Sequence, residues 1–184
     1  MNKKYVVIIM ALAIIIGSTY NALGQAKEQD QKSTAESVVR ELYNLVSFAP
    51  NTTPDWEKVK SLFIDEAVIV LRVTYDSLAI LSRQDFVDLF ISDIEKYQLD
   101  KSGFVEKVVS CETTEFGDIA KSVVVYEASI PNSPRPPQQG VDFFQLMRKD
   151  GRWIITAIVN EVPRPGNAIP SEFIRTEKEV EREE

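Results

Sequence analysis

Hydrophobic positions change period partway along this chain. From Ser33 to about Phe48 they recur at helical spacing: Val38, Leu42 and Leu45 share one stripe, and Val39, Tyr43 and Val46 the next. A stripe that wide predicts a helix lying on a sheet. Ser33-Thr34-Ala35-Glu36 reads as its capping box, Ser bonding forward and Glu back. Residues 49–52 break the pattern. Thr53-Pro54-Asp55 then predicts a second, shorter helix, with Thr as cap, Pro at the first helical position, and Trp56, Val59 and Phe63 along the buried edge. Residues 67–73 are apolar and β-branched and predict a strand. A turn at Tyr75-Asp76-Ser77 and a short strand to about Leu81 come next. Ser82-Arg83-Gln84-Asp85 caps a third helix, in which Phe86, Leu89, Phe90, Ile94 and Tyr97 keep helical spacing.

From Gly103 onward the period is two. Residues 104–115 predict a long strand, Phe116-Gly117-Asp118 a turn, and residues 119–130 a returning strand. Residues 131–139 hold Pro131, Pro134, Pro136 and Pro137, a stiff loop that no central strand could contain. It either covers a cavity mouth or serves as a solvated connector. Residues 140–162 form the strongest local signal. Two alternating runs flank Lys149-Asp150-Gly151, and Asp-Gly supplies the positive φ angles of a tight hairpin. After Pro163 the pattern is irregular, and residues 176–184 are a charge run expected to be a solvated end. Helices first and long antiparallel strands afterwards mean an α+β fold, with helices on one face of a curved sheet.

The first residues read as an address. Lys3 and Lys4 precede an uncharged apolar run over residues 5–17, and Ala22-Leu23-Gly24 offers small residues where a signal peptidase reads. The run falls short of the ~20 residues that span a bilayer. The expectation is a signal peptide over residues 1–24, cleaved after Gly24, and a secreted or periplasmic protein with no stable membrane span. A linker over 25–32, one domain over 33–163 and an irregular charged tail over 164–184 follow.

Composition narrows the chemistry. The net charge of −7, with no basic patch, disfavours nucleic acid and anionic membrane surfaces. No His occurs in the chain, so Ser-His-Asp and Cys-His nucleophilic machinery cannot be built, and neither can His-containing zinc sites. Cys111 is the one cysteine, which rules out an intrachain disulfide, and it reads most simply as a small buried residue. No metal site and no cofactor are expected: there is no glycine-rich phosphate loop and no calcium-loop spacing.

Two segments carry a resemblance. Leu62-Phe63-Ile64-Asp65-Glu66-Ala67-Val68 is similar to the helix-to-strand corner of the nuclear-transport-factor-2-like (NTF2-like) superfamily, also called SnoaL-like or ketosteroid-isomerase-like. Lys149-Asp150-Gly151-Arg152-Trp153-Ile154-Ile155 is similar to its closing hairpin. The tail over 163–170 resembles an ending of secreted, uncharacterised members. The match covers residues 34–162. It implies a cystatin-like half-open cone, three N-terminal helices packed on a curved antiparallel sheet. Because the superfamily hosts many activities, the resemblance implies architecture and leaves chemistry open. In its isomerase branch the cavity holds a Tyr on the first helix, an acidic base after the first strand and an acid near the start of the penultimate strand. The corresponding residues are Tyr43, Leu71 and Asp142. Leu71 cannot take a proton, and Asp76 is the nearest downstream acid.

The catalytic candidates are therefore Asp142, Tyr43 and Asp76. Tyr43, Trp56, Phe144, Asp142, Glu127 and Trp153 are the candidate ligand-binding residues. Glu127 and Glu112 fit an acid-base pair with Asp142 or solvent-facing strand positions equally, and the two Trp residues fit core packing as well as a ligand wall. A carboxyl in an apolar pocket is kept partly protonated, the state expected of Asp142 if it shares a cavity with Tyr43. Three functions are in play. One is a binding module for a small apolar or amphipathic molecule. Another is a cofactor-independent isomerase, lyase or hydrolase. The third is an interaction module that forms a homodimer through the outer sheet face.

Overall fold

A computed structural model describes residues 33–174, so the expected signal peptide and linker, and the end of the charged tail, lie outside the described residues. Helix α1 (Ala35–Val46) is capped by Thr34, one residue later than expected, its hydroxyl accepting from the Ser37 N–H. Asp55, rather than Thr53, caps α2 (Trp56–Ser61) by accepting from the Lys58 N–H. Strand β1 (Phe63–Thr74) starts four residues before the expected one. It turns at Tyr75-Asp76 into β2 (Ser77–Ser82). The capping box at Ser82 and Asp85 starts α3 (Arg83–Tyr97), which ends on Gln98 in the left-handed region and runs into the one-turn α4 (Leu99–Ser102). The three expected helices are thus not all N-terminal: α3 follows a β-hairpin.

The remaining strands are β3 (Val105–Phe116), β4 (Ile119–Ser129), β5 (Gln138–Lys149) and β6 (Arg152–Glu161). Asp150 and Gly151 take φ of 51° and 79°, both positive as a two-residue hairpin requires. All six strands form one sheet in the order β2-β1-β6-β5-β4-β3. Only β1 and β6 are parallel neighbours. The helices pack on one face. Phe144, Ile69 and Ile155 are fully buried there with Val39 and Val59. The fold is α+β, an open sheet carrying helices on one side, as expected. No described helix is long and apolar enough to cross a membrane.

Two bulges set which side chains face the helices. In β3 the register shifts between Val108 and Ser110. Across the β5–β6 pair it shifts between Gln145 and Leu146, with Thr156 as the extra residue of β6. One extra residue reverses the inside-outside alternation of everything beyond it. Glu106 and Val108 therefore share a face with Cys111 and Thr113, and Trp153 and Ile155 share one with Ile158 and Asn160.

On the other face of the sheet the chain after β6 folds back. Phe173, in a single 3-10 turn, packs edge-on against Phe143 with ring centroids 5.8 Å apart. Val125 and Val141 are buried beneath this segment, while Phe143 and Val159 stay about half exposed.

Candidate functional site

Between α1, α3 and the concave sheet face lies a cavity of about 710 Å3. Buried Phe86 and Phe144 mark its floor, and the exposed Tyr97, Arg135 and Gln138 its mouth. A volume of that order suits a small molecule, and the walls are mainly apolar, as in most ligand pockets. Arg135 comes from the proline-rich loop, which borders the opening.

Four polar groups of the cavity come one from each of four consecutive strands. Asp142 on β5 lies directly opposite Asn160 on β6. Tyr126 on β4 pairs with Gly140, two residues before Asp142, and Glu106 on β3 pairs with Ala128, two residues after Tyr126. Tyr126 is therefore the diagonal neighbour of both carboxyls. Tyr43 reaches down from α1. Its hydroxyl donates to Asp142 Oδ2 at 2.5 Å. Asn160 Nδ2 donates to Asp142 Oδ1 at 2.8 Å and to the Tyr126 hydroxyl at 3.0 Å. Both carboxylate oxygens of Asp142 thus hold a donor.

Gly140 makes the Tyr126 placement feasible. A Cβ on residue 140 would sit 2.4 Å from the end of the Tyr126 ring, closer than real Cβ atoms come. The bare glycine lets that ring lie across β5 and reach Asn160.

Burial drives the protonation states. It raises the Asp142 carboxyl to about 6, against the pull of the Tyr43 and Asn160 hydrogen bonds. Glu106 is pushed higher, to about 8, by burial first and then by the negative charge of Asp142. No described group hydrogen-bonds its carboxyl. The ordering follows from that difference, because the carboxylate with two donors ionises first and the unsupported one keeps the proton. Both tyrosines are raised, by burial and then by Asp142. Replacing Asn160 by Leu removes one donor from Asp142 and is expected to raise its midpoint above about 6, at a stability cost of about 1–3 kcal/mol. Carboxyl carbon NMR of Asp142 reads the shift; an unmoved midpoint would show that Asn160 does not hold the charge.

The structure brings Tyr43, Asp142 and Phe144 together and places the other sequence-derived candidates elsewhere. Asp76 is exposed in the β1–β2 turn and does not line the cavity, so it cannot replace Leu71, which does. Glu127 follows inward-facing Tyr126 and so points to the outer face, where Gln139 donates to it. Glu112, opposite Val123, is outward as well. Trp56 packs on Phe90, centroids 6.0 Å apart, and meets the cavity only through that ring. Trp153 is buried in the core under the Arg148 guanidinium, 4.7 Å from its ring. Glu106, Tyr126 and Asn160 were not foreseen as site residues. Their polarity in otherwise apolar inward runs was the available signal, and the two bulges hid it for Glu106 and Asn160. Among the described residues no group of three or more acids or cysteines could hold a metal ion.

No protein-family sequence model matches this chain, and no curated protein matches it. Solved structures do. An NTF2-like protein with a cystatin-like fold from Novosphingobium aromaticivorans superposes with a TM-score of 0.60 at 14% identity, over 86% of this chain and 97% of that one. A "putative ketosteroid isomerase" from Shewanella frigidimarina gives 0.52 at 17% identity, over 71% and 96%. A "putative scytalone dehydratase" from Novosphingobium aromaticivorans gives 0.53 at 14%, over 70% and 81%. At these identities the likeness is one of fold: the chain has the NTF2-like, cystatin-like architecture.

Proposed function

We propose that the protein binds one small, mainly apolar molecule in the cone, with a polar oxygen of that molecule at the carboxyl and tyrosine cluster. A single observation carries this reading: open apolar volume ends on polar groups that four strands and a helix aim at one place. A protein using this space only for packing would fill it, since interiors are close-packed. The test is a titration with 2-acetylnaphthalene followed by NMR. Shifts are expected at Leu71, Ile158 and Val162. Ala128, on the inner face of β4, lines the same space. An Ala128→Trp variant should fill it and abolish the shifts while keeping the wild-type melting transition. Shifts that persist in the plugged variant would put the ligand elsewhere and sink the reading.

A proton-transfer enzyme is the second reading, favoured by two carboxyls of unlike support in one cavity. In such a pair the ionised member serves as base and the protonated one as acid. Asp142 would take the proton and Glu106 would give one. The Shewanella and Novosphingobium neighbours named after isomerase and dehydratase chemistry make that class worth testing. Deuterium exchange into the positions beside the carbonyl of cyclohexanone, measured in heavy water, tests it. Exchange above background that is lost in Asp142→Asn supports the enzyme; a rate equal to background leaves the binder.

A further inference from the structure

A second cavity lies on the opposite side of the sheet. Its volume is about 240 Å3, and it sits between the outer face of β5 and β6 and the chain that follows β6. Because Asp142 and Asn160 point inward, alternation turns Val141, Phe143 and Val159 outward, and these three form its floor. Phe143 and Val159 face each other across the β5–β6 ladder, each about half exposed, so the floor presents bare apolar surface. Ile169, Pro170 and Phe173 form the roof.

The covering chain is fixed at both ends. Next to β6, the backbones of Arg164 and Asn167 exchange hydrogen bonds at 3.1 and 2.8 Å around Pro165-Gly166, where Gly166 takes φ of 81°. Arg164 Nη1 donates to the Tyr75 carbonyl at 3.3 Å and ties this turn to the β1–β2 hairpin. At the far end Phe173 rests on Phe143. No described backbone hydrogen bond joins residues 163–174 to the sheet. Pro163, Pro165 and Pro170 have no N–H to give, and their rings fix φ. A stiff span held at two points does not collapse onto the floor, and the space beneath it stays open. A cavity formed in advance costs an incoming molecule little ordering.

We propose that this outer slot is a second binding site, taking one small uncharged apolar molecule of about the bulk of a substituted benzene ring, independently of the cone. The volume suits it, since dry apolar cavities of about 150 Å3 already admit benzene. The walls select against ions. Glu161 is the one charged residue among those described as lining the slot, and Arg72 holds it: Nε and Nη2 reach its two carboxylate oxygens at 3.1 and 2.9 Å. A cation finds no unpaired carboxylate there, and an anion meets the negative charge of Glu161 in a wall that offers it no donor in exchange. Water finds few partners among Val, Phe, Ile and Pro side chains. The end of this chain is a poor filler, because residues 175–184 are nearly all charged.

Toluene, titrated into the full chain carrying the cone-filling Ala128→Trp substitution and followed by methyl NMR, tests the proposal apart from the fate of the cone reading. Saturable shifts are expected at Val141, Val159 and Ile169, with a Kd of about 1 mM, which is what a ligand of this size reaches. Benzoate keeps the ring and adds a charge, and it should bind about 10-fold more weakly or worse. Val159→Phe enlarges a half-exposed floor residue without touching the core. It should fill the slot and abolish the shifts at Val141 and Ile169 while the contact of Phe173 with Phe143 persists. Shifts that survive Val159→Phe overturn the proposal. So does the absence of any saturable shift up to the solubility of toluene, or equal binding of benzoate. Two other occupants would show themselves without toluene. Contacts from Val180 to the slot methyls would put the charged tail there, and slot resonances that move on dilution would put a second copy there; either result overturns the proposal.

Discussion

The folded protein is expected to lose stability, on the order of 3 kcal/mol, as the pH rises from about 4.5 to about 8, because Glu106 ionises inside the cone. In the native state its carboxyl titrates near 8 against an ordinary 4.5. Over that window the native chain holds a proton that the unfolded chain has already released, so each unit of pH favours unfolding. Below about 4.5 both states are protonated and the penalty is absent; above about 8 it is complete. Asp142 contributes in the same direction between its ordinary 3.8 and about 6. The full Glu106 shift would amount to about 5 kcal/mol. The smaller figure allows for water entering the open mouth. Asp85 and Glu161 act with the opposite sign and at lower pH. Their hydrogen bonds from Ser82 and Arg72 hold them below the usual carboxylate range, and the stability they add is lost as pH falls. Urea unfolding at several pH values, repeated on Glu106→Gln, measures the effect. The variant should be the more stable protein at high pH and show a flatter profile. Identical slopes in the two proteins would mean that Glu106 ionises freely.

Gly140→Ala is expected to cost about 2–4 kcal/mol and to dismantle the site along with it. The added Cβ would lie 2.4 Å from both Cζ and the hydroxyl of Tyr126 and 2.6 Å from Cε1. The ring cannot simply swing away. It is buried, its centroid is 5.9 Å from that of Tyr43, and its oxygen is the acceptor for Asn160. Relief requires either displacing the ring, which breaks that bond, or bending β5 away from β4. Overpacking of this kind accounts for about 1–3 kcal/mol and the lost hydrogen bond for about 1 more. The companion Gly140→Ala/Tyr126→Leu protein removes the clashing ring and should recover a large part of the loss. Equal stability of Gly140→Ala and wild type in urea would show that the approach of ring to backbone is not a constraint. Asn160 side-chain NMR would report the broken bond independently.

Much of the architecture was legible along the chain. Asp150-Gly151 can turn through positive φ at low cost, and it does so between β5 and β6. Ser82-Arg83-Gln84-Asp85 satisfies the orphan N–H groups of a helix start, and α3 starts there. Such features are local: each depends on residues within a turn of one another. Boundaries were less legible, because Thr34 and Asp55 compete with Ser33 and Thr53 for the same capping role and only packing selects among them. Tyr43, Asp142 and Phe144 line the cavity; Asp76, Glu127, Trp56 and Trp153 do not.

By itself the sequence determined the α+β order of elements, the closing hairpin, the acidic charge and the absence of His-dependent chemistry, since each follows from residue type and short spacing. Only the tertiary structure decided that Glu106 and Asn160 also face the cone. Alternation counted from Trp153 sends Asn160 outward, and counted from Cys111 it sends Glu106 outward. One extra residue in each strand reverses both. Bulges form where a sheet must bend to wrap its core, a demand set by the whole packed sheet rather than by any stretch of the chain.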